Sequence, residues 1–258
     1  MYLNLVLSIC ILIVRICLHL VHKKTYSKGE KHGHNIKDAA LMIKDADALL
    51  ISASNGLSIS EGFNIFADNQ DFEKYFGYFQ TKYGISNILQ GVGIPLSASD
   101  HAKFMERLEQ YMITDYYGSR QFENLRKIIG DKDYFVITSN ADTHFQLNGF
   151  NPHKIWEIEG NFFDLEMRSP EWQDQKEDFQ HFTEKYRAKK VVQLELGIGA
   201  ANQLIKLPLM RMVAMNMDWS YITLNFAKEI NVLPVIKDRA IAIEGDLAKT
   251  LAQLKEKF

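Results

Sequence analysis

Cysteine is nearly absent from this chain. Its two cysteines, Cys10 and Cys17, both fall in an apolar stretch at the N-terminus, so the rest of the sequence has none. That excludes a disulfide within the body and any thiolate-held metal there, and it fits a reducing, cytosolic setting. An excess of charge of one sign is missing as well, the formal net charge being −2. Nucleic acid calls for a basic face that this balance does not supply, so no nucleic-acid partner is expected. The eight histidines are scattered. Only His32-Gly33-His34 makes a tight pair, in a polar linker where solvated side chains are the ordinary outcome, and no metal ligands are assigned. No internal repeat is visible.

What is present is an ordinary globular composition. The 258 residues are 47% hydrophobic and 24% charged, and sixteen Phe and eleven Tyr supply a core. The length suits one large α/β domain, or a domain with a small insert. Residues 2–21 form an apolar run broken by Arg15 and His19 and followed by Lys23, Lys24 and Lys28. The run has no basic leader and no small-residue cleavage site, which argues against a secretory signal. An Arg in mid-span costs about 2.5–3.5 kcal/mol on insertion scales. The run is therefore read as a peripheral helix or as the product of a start placed too far upstream. Membrane contact follows only if it inserts, and the lysines would then keep the body cytoplasmic. Residues 1–35 are taken as this segment plus a polar linker, and 36–258 as the folded domain.

Along that domain, apolar runs alternate with helical patterns. Strands are predicted at 48–51, 134–138, 154–158, 191–196, 221–224 and 240–243. Helical spacing is seen before the first strand, across an aromatic-rich region at about 70–130, at 169–187 and at 247–257. Gly91, Gly93 and Pro95 are read as a loop within the helical region. Alternation of this kind predicts a doubly wound, Rossmann-like parallel α/β sheet with a helical insert. Ligands in such sheets bind at the carboxyl edge of the strands.

Four features lie at that edge. After the first strand comes the small-residue loop Ser54-Asn55-Gly56-Leu57-Ser58, and after the fourth comes Gly197-Ile198-Gly199. Loops of this type feed helix N-termini and can cradle phosphate, although many bind nothing. After the second strand comes Ser139-Asn140-Ala141-Asp142, which can aim a carboxamide and a carboxylate into one crevice; Asn and Asp also favour turns for local reasons. Glu157-Ile158-Glu159-Gly160 follows the third strand.

Taken in order, these motifs resemble the sirtuin (Sir2) family, from about Asn35 to the C-terminus. Ser54 to Ser58 matches the family's Gly-Ala-Gly-Ile-Ser pyrophosphate loop, and Ser139-Asn140-Ala141-Asp142 its Gln-Asn-x-Asp catalytic turn. Glu157 to Gly160 matches its Glu-Leu-His-Gly motif, and Gly197 to Gly199 its Gly-x-Ser loop. Asn225 matches the Asn that holds the adenosine ribose, and Gly245-Asp246 the closing Gly-Asp pair. The phrases Lys132 to Asn140 and Leu194 to Gly199 read most like the macrodomain-linked class M group of bacteria and fungi. That group acts mainly by protein mono-ADP-ribosylation, on a lipoylated carrier protein.

The resemblance implies NAD as co-substrate, with Ser54, Gly56, Ser58, Ser139, Gly197, Gly199, Asn225, Gly245 and Asp246 around it. Asn140 would orient a water or the ribose, and Asp142 would hold the nicotinamide amide. Glu159, standing where the family has His or Gln, would be the general base. The departures are Ser54 and Asn55 for the usual Gly and Ala, Ala67 for an Arg, and the loss of all four zinc cysteines. A reduced module at about 160–190 takes the zinc module's place, so no zinc is expected. The expected activity is NAD-dependent transfer of ADP-ribose to an acceptor protein, with nicotinamide released. A non-catalytic NAD- or ADP-ribose-binding protein and an NAD glycohydrolase are the alternatives. Deacetylation comes last, because it needs the His and an acyl-lysine groove.

Overall fold

The computed structural model describes residues 36–258; the apolar N-terminal run and its linker lie outside them. Six parallel strands form the sheet: β1 Ala48–Ala53, β2 Asp133–Thr138, β3 Ile155–Glu157, β4 Val191–Leu196, β5 Trp219–Asn225 and β6 Ala240–Glu244. They lie in the order β3-β2-β1-β4-β5-β6. Every residue of β1 and of β4 is buried, as expected for parallel strands covered on both faces. The chain builds outward from β1 to β3, then returns to the other side of β1 with β4. The gap between the carboxyl ends of β1 and β4 is thus the topological switch point, where a doubly wound sheet opens a crevice.

One face of the sheet is covered by α1 Ile36–Asp45, α2 Asn55–Glu61, α6 Arg120–Ile129, α7 His144–Leu147 and α10 Leu247–Lys255, which share a hydrophobic core with Leu49, Ile51 and Leu194. The other is covered by α8 Pro170–Lys185 and α9 Lys206–Met215, which bring Trp172, Phe179, Phe182 and Met210 against Leu50, Phe135 and Tyr221. Helix boundaries follow local chemistry. The Ser119 hydroxyl caps α6, accepting from Phe122 N, and the Asp246 carboxylate caps α10, accepting from Lys249 N at 3.0 Å.

Between α2 and α6 stand α3 Gln70–Tyr83, α4 Ile88–Gly93 and α5 Ala98–Glu109, with a π-turn at Gln110–Thr114. Their aromatic stripes pack into a separate core of Phe72, Phe76, Phe79, Phe104, Leu108 and Tyr111. Phe162 and Phe163, from the segment after β3, rest against the same core.

Several expectations need correcting. Gly91 and Gly93 belong to helix α4 rather than to a loop. Gly91 is there for packing: a Cβ on it would stand 2.3 Å from the Phe104 ring. The third strand is three residues long, because Ile158 and Glu159 turn away once Glu157 has paired with Thr138. The sequence reading placed no helix at α9, yet Pro208 sits in its first turn, where proline costs no hydrogen bond. The first strand runs on through Ser52 and Ala53, and Asn225 ends β5 rather than following it.

Candidate functional site

A cleft of about 490 Å³ opens at the switch point. Ser54, Gly56, Gly197, Gly199, Asn225 and Gly245 line it together with Asn55 and Glu229. Six of the nine expected cofactor-binding residues therefore meet there. Ser58, Ser139 and Asp246 do not line it. Ser139 is joined to the cleft through its hydroxyl, which donates to Ser54 Oγ at 3.0 Å, and Asp246 is occupied as the cap of α10.

The Gly197–Asn202 loop is held from three sides. Ile198 O accepts from Asn225 Nδ2 at 2.8 Å and from Lys206 Nζ at 3.2 Å, while Ala200 N donates to Glu229 Oε2 at 2.9 Å. Lys206 is itself buried, and its ammonium meets Glu195 Oε1 at 2.7 Å and Glu229 O at 2.9 Å. Glu195 is saturated by that ammonium and by the hydroxyls of Tyr221 and Thr223. Burial and the Glu195 charge together push the Tyr221 phenol well above its usual range. On the opposite wall, Gly56 N donates to Gly197 O at 3.1 Å and Leu57 N to Ser54 O at 2.9 Å. These two amides are committed within the protein and do not face the cleft as free donors.

Beside the cleft, at the carboxyl end of β2, lies the Asn-x-Asp turn. Asp142 is buried and accepts from Ser58 Oγ at 2.5 Å and from His144 N at 3.0 Å. Ser58 thus serves the turn rather than the phosphate loop. Asn140 is 5% exposed, and its Oδ1 has no hydrogen-bond partner. Buried acceptors are nearly always paired, and an unpaired one costs about 1–3 kcal/mol. Segment 161–165 closes over the turn, Phe162 N donating to Ala141 O at 3.0 Å.

The two glutamates after β2 take opposite environments. Glu159 is exposed on the turn beyond β3. Glu157 is 2% exposed, and its carboxylate accepts from Asn161 Nδ2 at 3.2 Å. Burial raises its pKa above the ordinary value against the hydrogen bonds of Gln146, Asn161 and Gln175, and the charge of Asp142 adds to the rise. Sequence reasoning passed over Glu157. No local pattern marked it; the fold pairs it with Thr138, at the strand end that launches the Asn-x-Asp turn. His144 was also missed. It is buried under that turn between Glu61 and Met112 O, with Tyr116 stacked on its ring. Among the described residues, no group of three or more His, Cys, Asp or Glu is arranged to hold a metal. No helix among them is long and apolar enough to cross a membrane.

No protein-family model matches the chain. One curated relative, a protein ADP-ribosyltransferase of Staphylococcus aureus (strain Mu50 / ATCC 700699), is 22% identical over 262 residues, covering 80% of this chain and 82% of the relative. Among solved structures, a Sir2 homologue in complex with NAD superposes with a TM-score of 0.55 at 13% identity, over 91% of this chain and 96% of its own. A second, from work on sirtuin substrate affinity, gives a TM-score of 0.51 at 13% identity, over 87% of this chain and 99% of its own. With its six parallel strands and its switch-point cleft, this chain has the fold of the Sir2 sirtuins.

Proposed function

We propose that this protein is a sirtuin-like, NAD-dependent protein mono-ADP-ribosyltransferase that releases nicotinamide. The observation that carries the reading is the buried carboxamide of Asn140, whose Oδ1 lacks a partner beside an Asp142 carboxylate paired at both oxygens. A ligand or water that donates to that atom removes its desolvation cost. The cleft volume falls within the range of small-molecule sites, about 300–1,000 Å³. A relative named protein ADP-ribosyltransferase and a neighbour solved with NAD support the same chemistry.

NAD, when bound, supplies the ADP-ribosyl group and a nicotinamide leaving group. Gly197, Gly199, Asn225 and Gly245 would border its nucleotide half, and the Ser54 hydroxyl, linked to Ser139, would face its phosphates. Asn140 orients the reacting ribose or the attacking group, and Asp142, fixed by Ser58, holds the amide of the leaving group. A carboxylate near developing positive charge also stabilises it. Glu157 can hold a proton inside the site closer to neutrality than an ordinary carboxylic acid. Glu159 is exposed and would take a proton from an acceptor that docks from solvent. The acceptor is a protein, and the class M resemblance points to a lipoylated carrier. The reaction takes place in the cytoplasm and uses no zinc, residues 36–258 having no cysteine to hold it.

Transfer is tested by incubating the full chain with labelled NAD and cell extract. A labelled acceptor band that disappears in Asn140→Ala supports the reading; equal labelling by the variant removes Asn140 from it. The committed amides of Gly56 and Leu57 favour one second reading, a protein that binds NAD or ADP-ribose without turnover. Calorimetric binding without nicotinamide release would favour that second reading.

A further inference from the structure

His144 has no part in the chemistry above, yet it is 1% exposed and bonded at both ring nitrogens. Nε2 lies 3.1 Å from Met112 O, and Nδ1 lies 3.2 Å from Glu61 Oε1 and 3.9 Å from Asp142 Oδ2. A carbonyl oxygen can only accept, so Nε2 carries a proton. Nδ1 faces the Glu61 carboxylate, with the Asp142 carboxylate beyond it, and a proton on Nδ1 serves both. A neutral ring protonated at Nε2 would present a bare Nδ1 lone pair to two carboxylates, Glu61 and Asp142. The Tyr116 ring lies flat on the imidazole at 4.0 Å, and its hydroxyl donates to Glu61 Oε2 at 2.6 Å. Phe63 closes the remaining face edge-on at 4.7 Å. The ionisable groups facing His144 are therefore Glu61 at the end of α2, Asp142 in the turn and Tyr116 in the loop after the π-turn.

We infer that His144, held as a buried imidazolium, is a positioning residue that locks the Asn140–Asp142 turn to Glu61 of α2 and to the π-turn of the helical region. The inference builds on the reading of Asn140 and Asp142 as the reacting turn. The backbone amide of His144 fixes Asp142 Oδ1, while its ring charge is shared between Glu61 and Asp142. Met112 O is reached from within the π-turn, a rare local geometry that is frequent at functional sites. Burial opposes the charge on His144, but Asp142 and Glu61 outweigh it and hold the imidazole above its ordinary value of 6.5. A histidine raised in this way contributes stability that is complete below the ordinary value and is lost as pH rises through the raised one. Deprotonation leaves Glu61 and Asp142 buried around an uncharged ring, so the turn loosens on the alkaline side.

The test is a nitrogen-15 NMR titration of the full chain without NAD, from pH 5.5 to 9.5. The His144 ring is assigned by comparison with His144→Gln, and the Asn140 side-chain amide by comparison with Asn140→Ala. The inference expects both ring nitrogens protonated at pH 6.5, a midpoint above those of the exposed histidines, and an Asn140 amide that shifts with the same midpoint. In Glu61→Gln the midpoint falls by about one unit or more, a tenfold change in proton affinity. A ring mostly neutral at pH 6.5, a midpoint unmoved by Glu61→Gln, or an Asn140 amide indifferent to the titration each overturns it. If Glu61→Gln does not fold, the wild-type titration still decides through the ring and the Asn140 amide. The spectrum does not depend on turnover. A chain that releases no nicotinamide refutes the transferase reading and leaves this result standing, whereas a neutral His144 in an active enzyme refutes only the inference.

Discussion

Gly56 and Gly197 cross with their backbones in contact. A Cβ on Gly56 would stand 2.3 Å from Gly197 O, and one on Gly197 would stand 2.7 Å from Gly56 Cα. The two loops that face each other across the switch point are thus glycine-bearing because they touch each other, whatever else they touch. Gly197 also takes a φ of +63°, which L side chains rarely adopt.

Gly197→Ala is consequently expected to destabilise the fold itself. Overpacking of this kind costs about 1–3 kcal/mol, and each kcal/mol lowers the melting temperature of a chain of this size by roughly 2–4 °C. Thermal unfolding in the absence of nucleotide measures it. An unchanged melting temperature would mean that the crossing is looser than described.

The parallel sheet was legible because its strands are short, mostly apolar runs separated by helical spacing. β1 and β4 needed nothing more. The short β3 was harder: its burial comes from α8, whose Trp172 and Phe179 cover Trp156 at 5.4 and 5.3 Å between ring centroids. No local pattern announces such a tertiary cover. For the same reason Gly91 looked like a loop residue, its role being set by Phe104 thirteen positions away.

Lys206 illustrates a second kind of blindness. In sequence it is one lysine after a small-residue loop, ordinarily read as solvated. In the fold it is buried and neutralised by Glu195, eleven residues earlier and on the floor of the sheet. Lys206→Met removes one partner and strands Glu195, which is expected to cost about 3–5 kcal/mol in urea unfolding. Adding Glu195→Gln should recover part of that loss, so that the double variant is more stable than the sum of the singles predicts. Strict additivity would show that the pair is not coupled.

The candidate site was legible where residues sit on strand-end turns and illegible where burial decides. Asn140 and Asp142 stood out because Ser139 to Asp142 follows an unmistakable strand. Between the two glutamates of Glu157-Ile158-Glu159, sequence position favoured Glu159, and the fold buries Glu157.

Glu157→Gln separates these roles. Because the folded-state pKa of Glu157 is raised, chiefly by burial, its favourable contribution is complete below the ordinary value of 4.5 and is lost as pH rises through the folded value. At pH 8 the buried carboxylate is therefore a cost that the neutral amide removes. Glu157→Gln should melt above wild type at pH 8, with the gap closing toward pH 4.5, as read by scanning calorimetry. A variant that melts at or below wild type at pH 8 would contradict the assigned environment.

The central claim is that Asn140 sits at a reacting centre that consumes NAD. The most direct measurement is nicotinamide release from NAD, followed by chromatography, for the full chain and Asn140→Ala, each with and without cell extract. Release by wild type that is stimulated by extract and abolished in a stably folded Asn140→Ala is the predicted result. Equal release by the variant, or no release from a chain that still binds NAD, would contradict it.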